Sequence, residues 1–68
     1  MFANRLRLAR SRAGLSLRDL SSAIGGEVSA QAIGKYENNE MMPSAKVLSL
    51  LGKSLGVSLD FLMSSQVA

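Results

Sequence analysis

The chain contains no cysteine and no histidine in its 68 residues. Without cysteine it can form neither a disulfide framework nor a thiolate metal site. A metal ion would need carboxylate ligands alone, and the acidic residues are not spaced like ligands. Because so short a chain also lacks paired carboxylates, we expect no enzyme activity, no metal and no cofactor. The acidic residues are Asp19, Glu27, Glu37, Glu40 and Asp60.

The sequence also lacks a long apolar run. Its first 18 residues contain five arginines and no acidic residue. In a signal peptide such a basic start is followed by about seven or more apolar residues, and no such run follows here. No segment approaches membrane-spanning length either, so we expect a cytoplasmic protein. The arginines are Arg5, Arg7, Arg10, Arg12 and Arg18.

Enough apolar material is present for one small folded domain. Hydrophobic residues make up 47% of the chain, which argues against disorder. A chain of this length buries only about 60% of the surface that its unfolded state exposes, so we expect a modest core and a single domain over residues 1–68. The net charge of +3 indicates either an anionic partner or an ordinary basic surface.

Apolar residues recur at helical spacing along the chain. Phe2, Leu6 and Ala9 form such a stripe in the first segment. No segment shows the alternation of β-branched and polar residues that is typical of a strand. Gly14, Gly25-Gly26, Asn38-Asn39, Pro43 and Gly56 separate the segments. The pattern predicts an all-α fold with five short helices, at about 2–13, 17–24, 30–38, 45–55 and 59–63.

Serines predict where these helices begin. Ser16, Ser29 and Ser58 each follow an apolar residue and precede another one by four positions. A serine in this position can cap a helix, and the apolar pair can form a hydrophobic staple across the first turn. Ser44 gives a similar start signal, and Asp19 completes a weak capping box with Ser16.

The third predicted helix has two unlike faces. Ile33 and Tyr36 lie on one face, which suits a core, and we assign Tyr36 to that core. The opposite face is small, polar and basic, and Gly34 there costs about 0.8–1.0 kcal/mol relative to alanine. A solvated face would usually carry long charged side chains, so the thin face favours close approach to another surface, with plain solvent exposure as the alternative. Its residues are Ala30, Gln31, Gly34, Lys35 and Asn38.

The second and third helices, joined by a short glycine turn, predict a helix-turn-helix. The run "GLSLRDLSSAIGGEVSAQAIGKYENNEMMPSAKVLSLLGKSLGVSLDFL" resembles the phage Cro and repressor (XRE-like) type of helix-turn-helix domain. The resemblance covers about Arg5 to Leu62 and implies a lambda-repressor-like fold. Its marks are Gly14-Leu15-Ser16, Leu20, Gly25, Val28-Ser29, Ile33, Glu37, Pro43 and Leu55-Gly56-Val57.

The resemblance implies sequence-specific binding of double-stranded DNA by a transcriptional regulator, with the third helix in the major groove. The family reads base edges at the positions of Ala30, Gln31 and Lys35, and Lys35 would reach either a guanine or a phosphate. Ser29 would cap the recognition helix and touch phosphate. The remaining DNA-facing positions are Gly34, which would permit close approach to the groove, Asn38 and Asn39, which would contact the backbone, and Arg18, which either contacts the backbone or is solvated.

The resemblance also implies an ion pair and a dimer. Arg10 and Glu37 match a buried or half-buried pair between the first and third helices. We expect recognition of a palindromic operator by a homodimer, whose contact lies at the fifth helix and the residues after it. We expect the remaining N-terminal arginines, Arg5, Arg7 and Arg12, to be mostly solvent-facing. The dimer candidates are Leu59, Phe61, Leu62 and Met63.

Some features depart from the family pattern. Leu17 stands where the family commonly has a glutamine in reach of phosphate, and the turn "GGEV" is two residues longer. Asn39 replaces a glycine but can adopt the left-handed conformation. Glu40 would repel phosphate, and the following pair Met41-Met42 either tucks under the loop or faces a missing domain.

A narrower similarity concerns the whole protein. "VSAQAIGKYE" followed by "EMMPS" is similar to regulators that carry a longer C-terminal, metallopeptidase-like domain of the ImmA/IrrE type. This similarity implies that the chain is the DNA-binding part of such a protein.

Two other functions are alternatives to DNA binding. An antitoxin or adaptor that acts mainly through protein–protein binding is favoured by the apolar segment "VSLDFLMSSQVA" and by the Met-Met loop. A membrane-surface peptide would rest on the basic first helix, but the apolar stripe of that helix is narrow.

Overall fold

The computed structural model describes residues 2–63, and within this range the fold consists of five α-helices without a strand. The predicted all-α class and all five helices are confirmed. The second and third helices end one residue earlier than predicted, since Ile24 and Asn38 already lie outside them. The helices are α1 (Phe2–Ala13), α2 (Leu17–Ala23), α3 (Ala30–Glu37), α4 (Ala45–Leu55) and α5 (Leu59–Met63).

Four helices begin at a capping serine, as the sequence predicts. Ser16, Ser29, Ser44 and Ser58 each accept a hydrogen bond from the backbone N–H three residues ahead, at 2.9 to 3.2 Å. The Asp19 carboxylate accepts in turn from the Ser16 N–H at 3.0 Å, so the capping box is present. The hydrogen bonds from the Ser16 backbone and side chain hold the pKa of Asp19 below its usual value.

The helices also end at specific backbone turns. Asn39 has a φ of 63°, which confirms the expected left-handed conformation, and the Glu40 N–H then donates to the Lys35 carbonyl at 2.9 Å. The two successive glycines after α2, Gly25 and Gly26, have φ values of 71° and 73°. Such a pair of left-handed residues favours glycine at both positions, and it reverses the chain between α2 and α3.

One apolar core joins all five helices. Its members include Tyr36, which confirms that this tyrosine belongs to the core. Helix α3 makes the most extensive contacts of any helix pair, first with α2 and then with α1. The helix-turn-helix is therefore braced by α1 through α3. The core residues are Phe2, Leu6, Leu20, Ile24, Ile33, Tyr36, Val47, Leu51 and Leu62.

Two expectations about α5 and α1 are wrong. Leu62 is fully buried in this core, so it cannot contribute to a dimer contact. Arg5 is not mostly solvent-facing: its guanidinium carbon lies 4.8 Å from the centre of the Phe61 ring, and its Nη1 donates to the Phe61 carbonyl at 3.2 Å. Phe61 is therefore half-buried, and Leu59 and Met63 are the exposed apolar residues of α5. The residues after α5, which belong to the expected dimer contact, lie outside the described residues.

The expected ion pair between α1 and α3 is present. Arg10 donates from Nε to Glu37 Oε2 at 2.6 Å and from Nη2 to Glu37 Oε1 at 2.9 Å. Its Nη1 donates to the Leu15 carbonyl at 2.9 Å. Only 3% of the Glu37 side chain and 18% of the Arg10 side chain are exposed. The hydrogen bond with Glu37 raises the pKa of Arg10, so Arg10 keeps its charge, and its contacts with Glu37 fix α3 against α1.

Replacing Arg10 with alanine should lower the free energy of unfolding by about 3 kcal/mol, because the buried Glu37 carboxylate then loses its two short hydrogen bonds and keeps only the longer contact with the exposed Arg7. Urea denaturation would measure this loss. Arg7→Ala is the matched control, because Arg7 also contacts Glu37 but its side chain is 55% exposed. That variant should lose less than about 1 kcal/mol. Equal losses in the two variants would contradict the assignment.

Two glycines lie inside helices but have different surroundings. A Cβ built on Gly34 would lie 3.6 Å from Leu17 Cδ1, which is an ordinary contact between α3 and α2. A Cβ built on Gly52 would lie 3.1 Å from the Val57 carbonyl oxygen, where the backbone turns after α4. The first position can accept a methyl group, whereas the second is too tight for one unless the backbone moves.

Gly34→Ala should therefore raise the free energy of unfolding by about 0.8–1.0 kcal/mol, the difference in helix propensity. Gly52→Ala changes the propensity equally, so it is the control for packing, and it should gain clearly less or lose stability. Thermal unfolding of the two variants beside the parent protein would compare them. The packing argument fails if Gly52→Ala is as stabilising as Gly34→Ala.

Candidate nucleic-acid interface

The outer face of α3 presents two long polar side chains side by side. Gln31 and Lys35 are both exposed and stand one helical turn apart, on the same face of the helix. They line one shallow groove together with Ser29, Ala32 and Met41. Ala30, in the first position of the helix, is half-buried. Of the residues that the sequence assigned to base reading, the structure thus brings Gln31 and Lys35 together in this groove, whereas Ala30 does not line it.

The N-terminus of α3 is capped by Ser29. Its hydroxyl oxygen accepts from the Ala32 N–H at 3.0 Å. Because a hydroxyl can accept and donate at once, the Ser29 proton remains available to an outside acceptor. Ser29 is exposed, so the capping role is confirmed and a phosphate contact stays a prediction.

Gly34 in α3 is half-buried and faces Leu17, the first residue of α2. Its missing side chain leaves space that Leu17 approaches. Leu17, which departs from the family's glutamine, is half-buried and packs against the core. A Cβ at Gly34 would make only an ordinary contact with Leu17, so packing does not require this glycine, and the close approach of the thin face to DNA stays a prediction.

The C-terminal end of α3 carries Asn38 and Asn39, which are both exposed. Arg7 of α1 reaches this end: its Nη2 donates to Asn38 Oδ1 at 3.2 Å and to the Glu37 carbonyl at 3.4 Å. Arg7 was expected to be mostly solvent-facing, and this contact was missed. The available signal was its spacing from Arg10, since residues three apart share one face of a helix.

The charges around this face are unevenly compensated. Glu37 is neutralised by Arg10, and Glu27 in the turn before α3 lies 3.5 Å from Lys46. Glu40 is exposed and has no ion-pair partner within residues 2–63, so its charge would repel a phosphate. Arg18 is exposed on α2, and its contact with a backbone phosphate stays a prediction.

The loop after α3 exposes two methionines. Met41 and Met42 are both about half exposed, so the expectation that they tuck under the loop is wrong for both. Met41 lines the groove beside Gln31 and Lys35. The other expectation, that the pair faces a further domain, stays a prediction.

The chemistry available at this face is hydrogen bonding and positive charge. Within residues 2–63 no group of acidic side chains could hold a metal ion. None of the helices in that range has the length and hydropathy needed to cross a bilayer. An amide at Gln31, an ammonium at Lys35 and an amide at Asn38 can donate to acceptors on a ligand, and Gln31 can also accept.

Comparison with known proteins places this architecture in a family. The chain is 38% identical over 63 residues to the SPbeta prophage-derived uncharacterized HTH-type transcriptional regulator YonR of Bacillus subtilis (strain 168). The match covers 93% of this chain and 56% of the relative, so the chain spans little more than half the length of that protein. A family profile described as helix-turn-helix matches residues 6–62. The chain therefore belongs to the helix-turn-helix family.

Proposed function

We propose that this domain binds double-stranded DNA in a sequence-specific manner and serves as the DNA-binding part of a transcriptional regulator. One observation carries the proposal. The exposed Gln31–Lys35 face lies on the second helix of a helix-turn-helix, and α1 braces that helix through a buried ion pair. A rigid helix with a polar outer face is the element that this motif inserts into the major groove.

Base reading is assigned to three residues of α3, from its first position to its last turn. The Gln31 amide offers one donor and one acceptor, which match adenine N6 and N7. Lys35 donates to guanine O6 or N7, or to a phosphate near the groove edge. The methyl group of Ala30 meets a thymine methyl. These three residues specify sequence, because base edges differ between base pairs and phosphates do not.

Backbone contacts are assigned to the two ends of α3 and to α2. Ser29 donates to a phosphate at the N-terminus of α3, where the helix dipole also favours an anion. Asn38 and Asn39 contact the backbone beyond the C-terminus, and Arg18 contacts it from α2. Gly34 keeps the centre of the face low between these contacts. Such contacts fix the register of the protein on the duplex.

The regulator is proposed to act as a homodimer on a palindromic operator. Leu59 and Met63 are exposed, and their spacing of four puts them on one face of α5. Phe61 borders this face, being half-buried beneath Arg5. Pairing of this face between two copies would set two recognition helices about 34 Å apart, one turn of DNA.

Further features of the whole protein are also proposals. The relative that this chain matches is nearly twice as long as the match itself, which fits a domain within a longer regulator. That this regulator is of the ImmA/IrrE type is proposed from the sequence resemblance alone. We propose that the domain carries out this DNA-binding role in the cytoplasm. We propose no catalytic function for the domain.

A protein-binding function, as in an antitoxin or adaptor, is the second candidate. It is favoured by exposed apolar side chains on two surfaces, the Met41-Met42 loop and the outer face of α5. The two functions differ in their response to salt. Each phosphate contact makes DNA affinity fall steeply as salt rises, whereas binding to an apolar protein surface does not depend on counterion release.

Selection of bound sequences from a random DNA pool should yield a consensus, and Gln31→Ala should weaken binding to it by about 1–3 kcal/mol with relaxed preference at one base pair. Lys35→Ala should weaken binding as well. Lys53→Ala is the matched control. Lys53 is exposed on α4, away from α3, and its replacement removes the same charge. Selection without any consensus, or equal effects of the two lysine variants, would contradict the proposed face.

The dimer proposal predicts that a palindromic operator binds two copies cooperatively, while an isolated half-site binds one copy weakly. Replacing Leu59 and Met63 with serine should reduce cooperativity and leave half-site affinity unchanged, because neither residue is part of the α3 face. Quantitative footprinting on full and half operators would measure both quantities. Protection of a single half-site at saturation would contradict dimeric recognition.

A further inference from the structure

The guanidinium of Arg7 lies at the C-terminal end of α3, although Arg7 belongs to α1. Its Nε donates to Glu37 Oε1 at 3.4 Å. Its Nη2 donates to the Glu37 backbone carbonyl at 3.4 Å and to Asn38 Oδ1 at 3.2 Å. Three contacts from one side chain thus hold it beside the residue that follows the recognition helix.

The positive charge of Arg7 is not needed to neutralise Glu37. Arg10 already forms two shorter hydrogen bonds with that carboxylate, at 2.6 and 2.9 Å. The Arg7 side chain is 55% exposed, against 18% for Arg10. The two cations surrounding one anion leave a net positive charge, and Arg7 carries it at the surface.

The contact with Arg7 also fixes the orientation of the Asn38 amide. A guanidinium can only donate, so the atom of Asn38 that faces it must be the carbonyl oxygen Oδ1. The amide nitrogen Nδ2 then remains to donate to another molecule. Within residues 2–63 the Arg7 Nη1 has no hydrogen-bond partner either. Two available donor groups, Asn38 Nδ2 and Arg7 Nη1, therefore lie next to each other, together with the exposed positive charge of Arg7.

The C-terminal end of a helix carries a partial negative charge, which disfavours an anion there. Arg7 counters this effect directly, because its Nη2 donates to the backbone carbonyl of Glu37, the last residue of α3. A pair of adjacent donors with a positive charge matches the oxygen atoms of a phosphate.

We propose that Arg7 and Asn38 form a clamp for one phosphodiester of the DNA backbone, in which Arg7 binds the phosphate itself and orients the Asn38 amide. The clamp rests on the proposed DNA-binding function and adds a contact from α1 to the interface. It positions the C-terminal end of the recognition helix on the duplex, while Gln31 in the first turn and Lys35 in the last turn read bases.

Equilibrium binding to the selected DNA at several salt concentrations tests the clamp. Arg7→Ala should lower affinity about tenfold, the effect of losing a charge-assisted hydrogen bond, and reduce the slope of log affinity against log salt by about 0.9. The base preference should not change. Arg12→Ala is the matched control, because it removes the same charge from an exposed site on α1, beside α4 and α5 residues rather than α3.

Asn38→Ala should lose affinity in the same direction, and the double variant with Arg7→Ala should lose little more than Arg7→Ala alone, because both residues serve one phosphate. Arg7→Lys keeps the charge without the planar fork, so it should fall between the parent and Arg7→Ala. Thermal unfolding of every variant checks that the domain is folded. Neutral methylphosphonate substitution at successive positions should identify one phosphate whose loss weakens the parent protein but not Arg7→Ala.

Equal losses from Arg7→Ala and Arg12→Ala would overturn the clamp, since net charge alone would then explain both. Such a result would leave the proposed function intact, because the parent protein would still select a consensus and respond to salt. A parent protein that binds no DNA in a salt-dependent manner would overturn the function and the clamp together.

Discussion

The buried ion pair between Arg10 and Glu37 is the contact on which the orientation of α3 and its outer polar face depends. A single guanidinium uses three nitrogen atoms to join α1, the loop before α2 and the end of α3. A carboxylate with 3% exposure is stable only with a partner, so the pair forces one arrangement of these helices. The hydrophobic core is non-directional, whereas this pair has a fixed geometry. The angle at which α3 presents Gln31 and Lys35 follows from that constraint.

Most of the fold could be predicted from the sequence because its boundaries are set locally. A capping serine acts on a backbone N–H three residues away, as Ser29 does, and a left-handed residue such as Asn39 ends the same helix. These signals involve neighbours in the chain and can be read without knowing how the helices pack. The polar face of α3 was predictable for the same reason, since helical periodicity alone separates Gln31 and Lys35 from Ile33.

The contacts that sequence reasoning missed depend on how the helices cross. Arg5 and Arg7 looked like solvent-facing charges, but α1 passes close enough to α5 and α3 for Arg5 to cover Phe61 and for Arg7 to reach Asn38. Leu62 was assigned to a dimer surface, yet α5 turns that side chain into the core. A five-residue helix has too little periodicity to show which of its apolar residues faces inward. Such assignments require the relative orientation of the elements.

The serine caps have a consequence for how the domain forms. Because most helices carry their own start signal, much of the native structure is specified by interactions between residues close in the chain. Domains dominated by local contacts fold in microseconds to milliseconds, since little chain entropy is lost before contacts form. The core, the Arg10–Glu37 pair and a few further side-chain contacts, such as those of Arg5 with Phe61 and of Arg7 with Asn38, link distant segments. A nascent chain of this sequence should therefore collapse into helices early and search only for their mutual docking, which leaves little time for the apolar core residues to associate with other chains before they are buried.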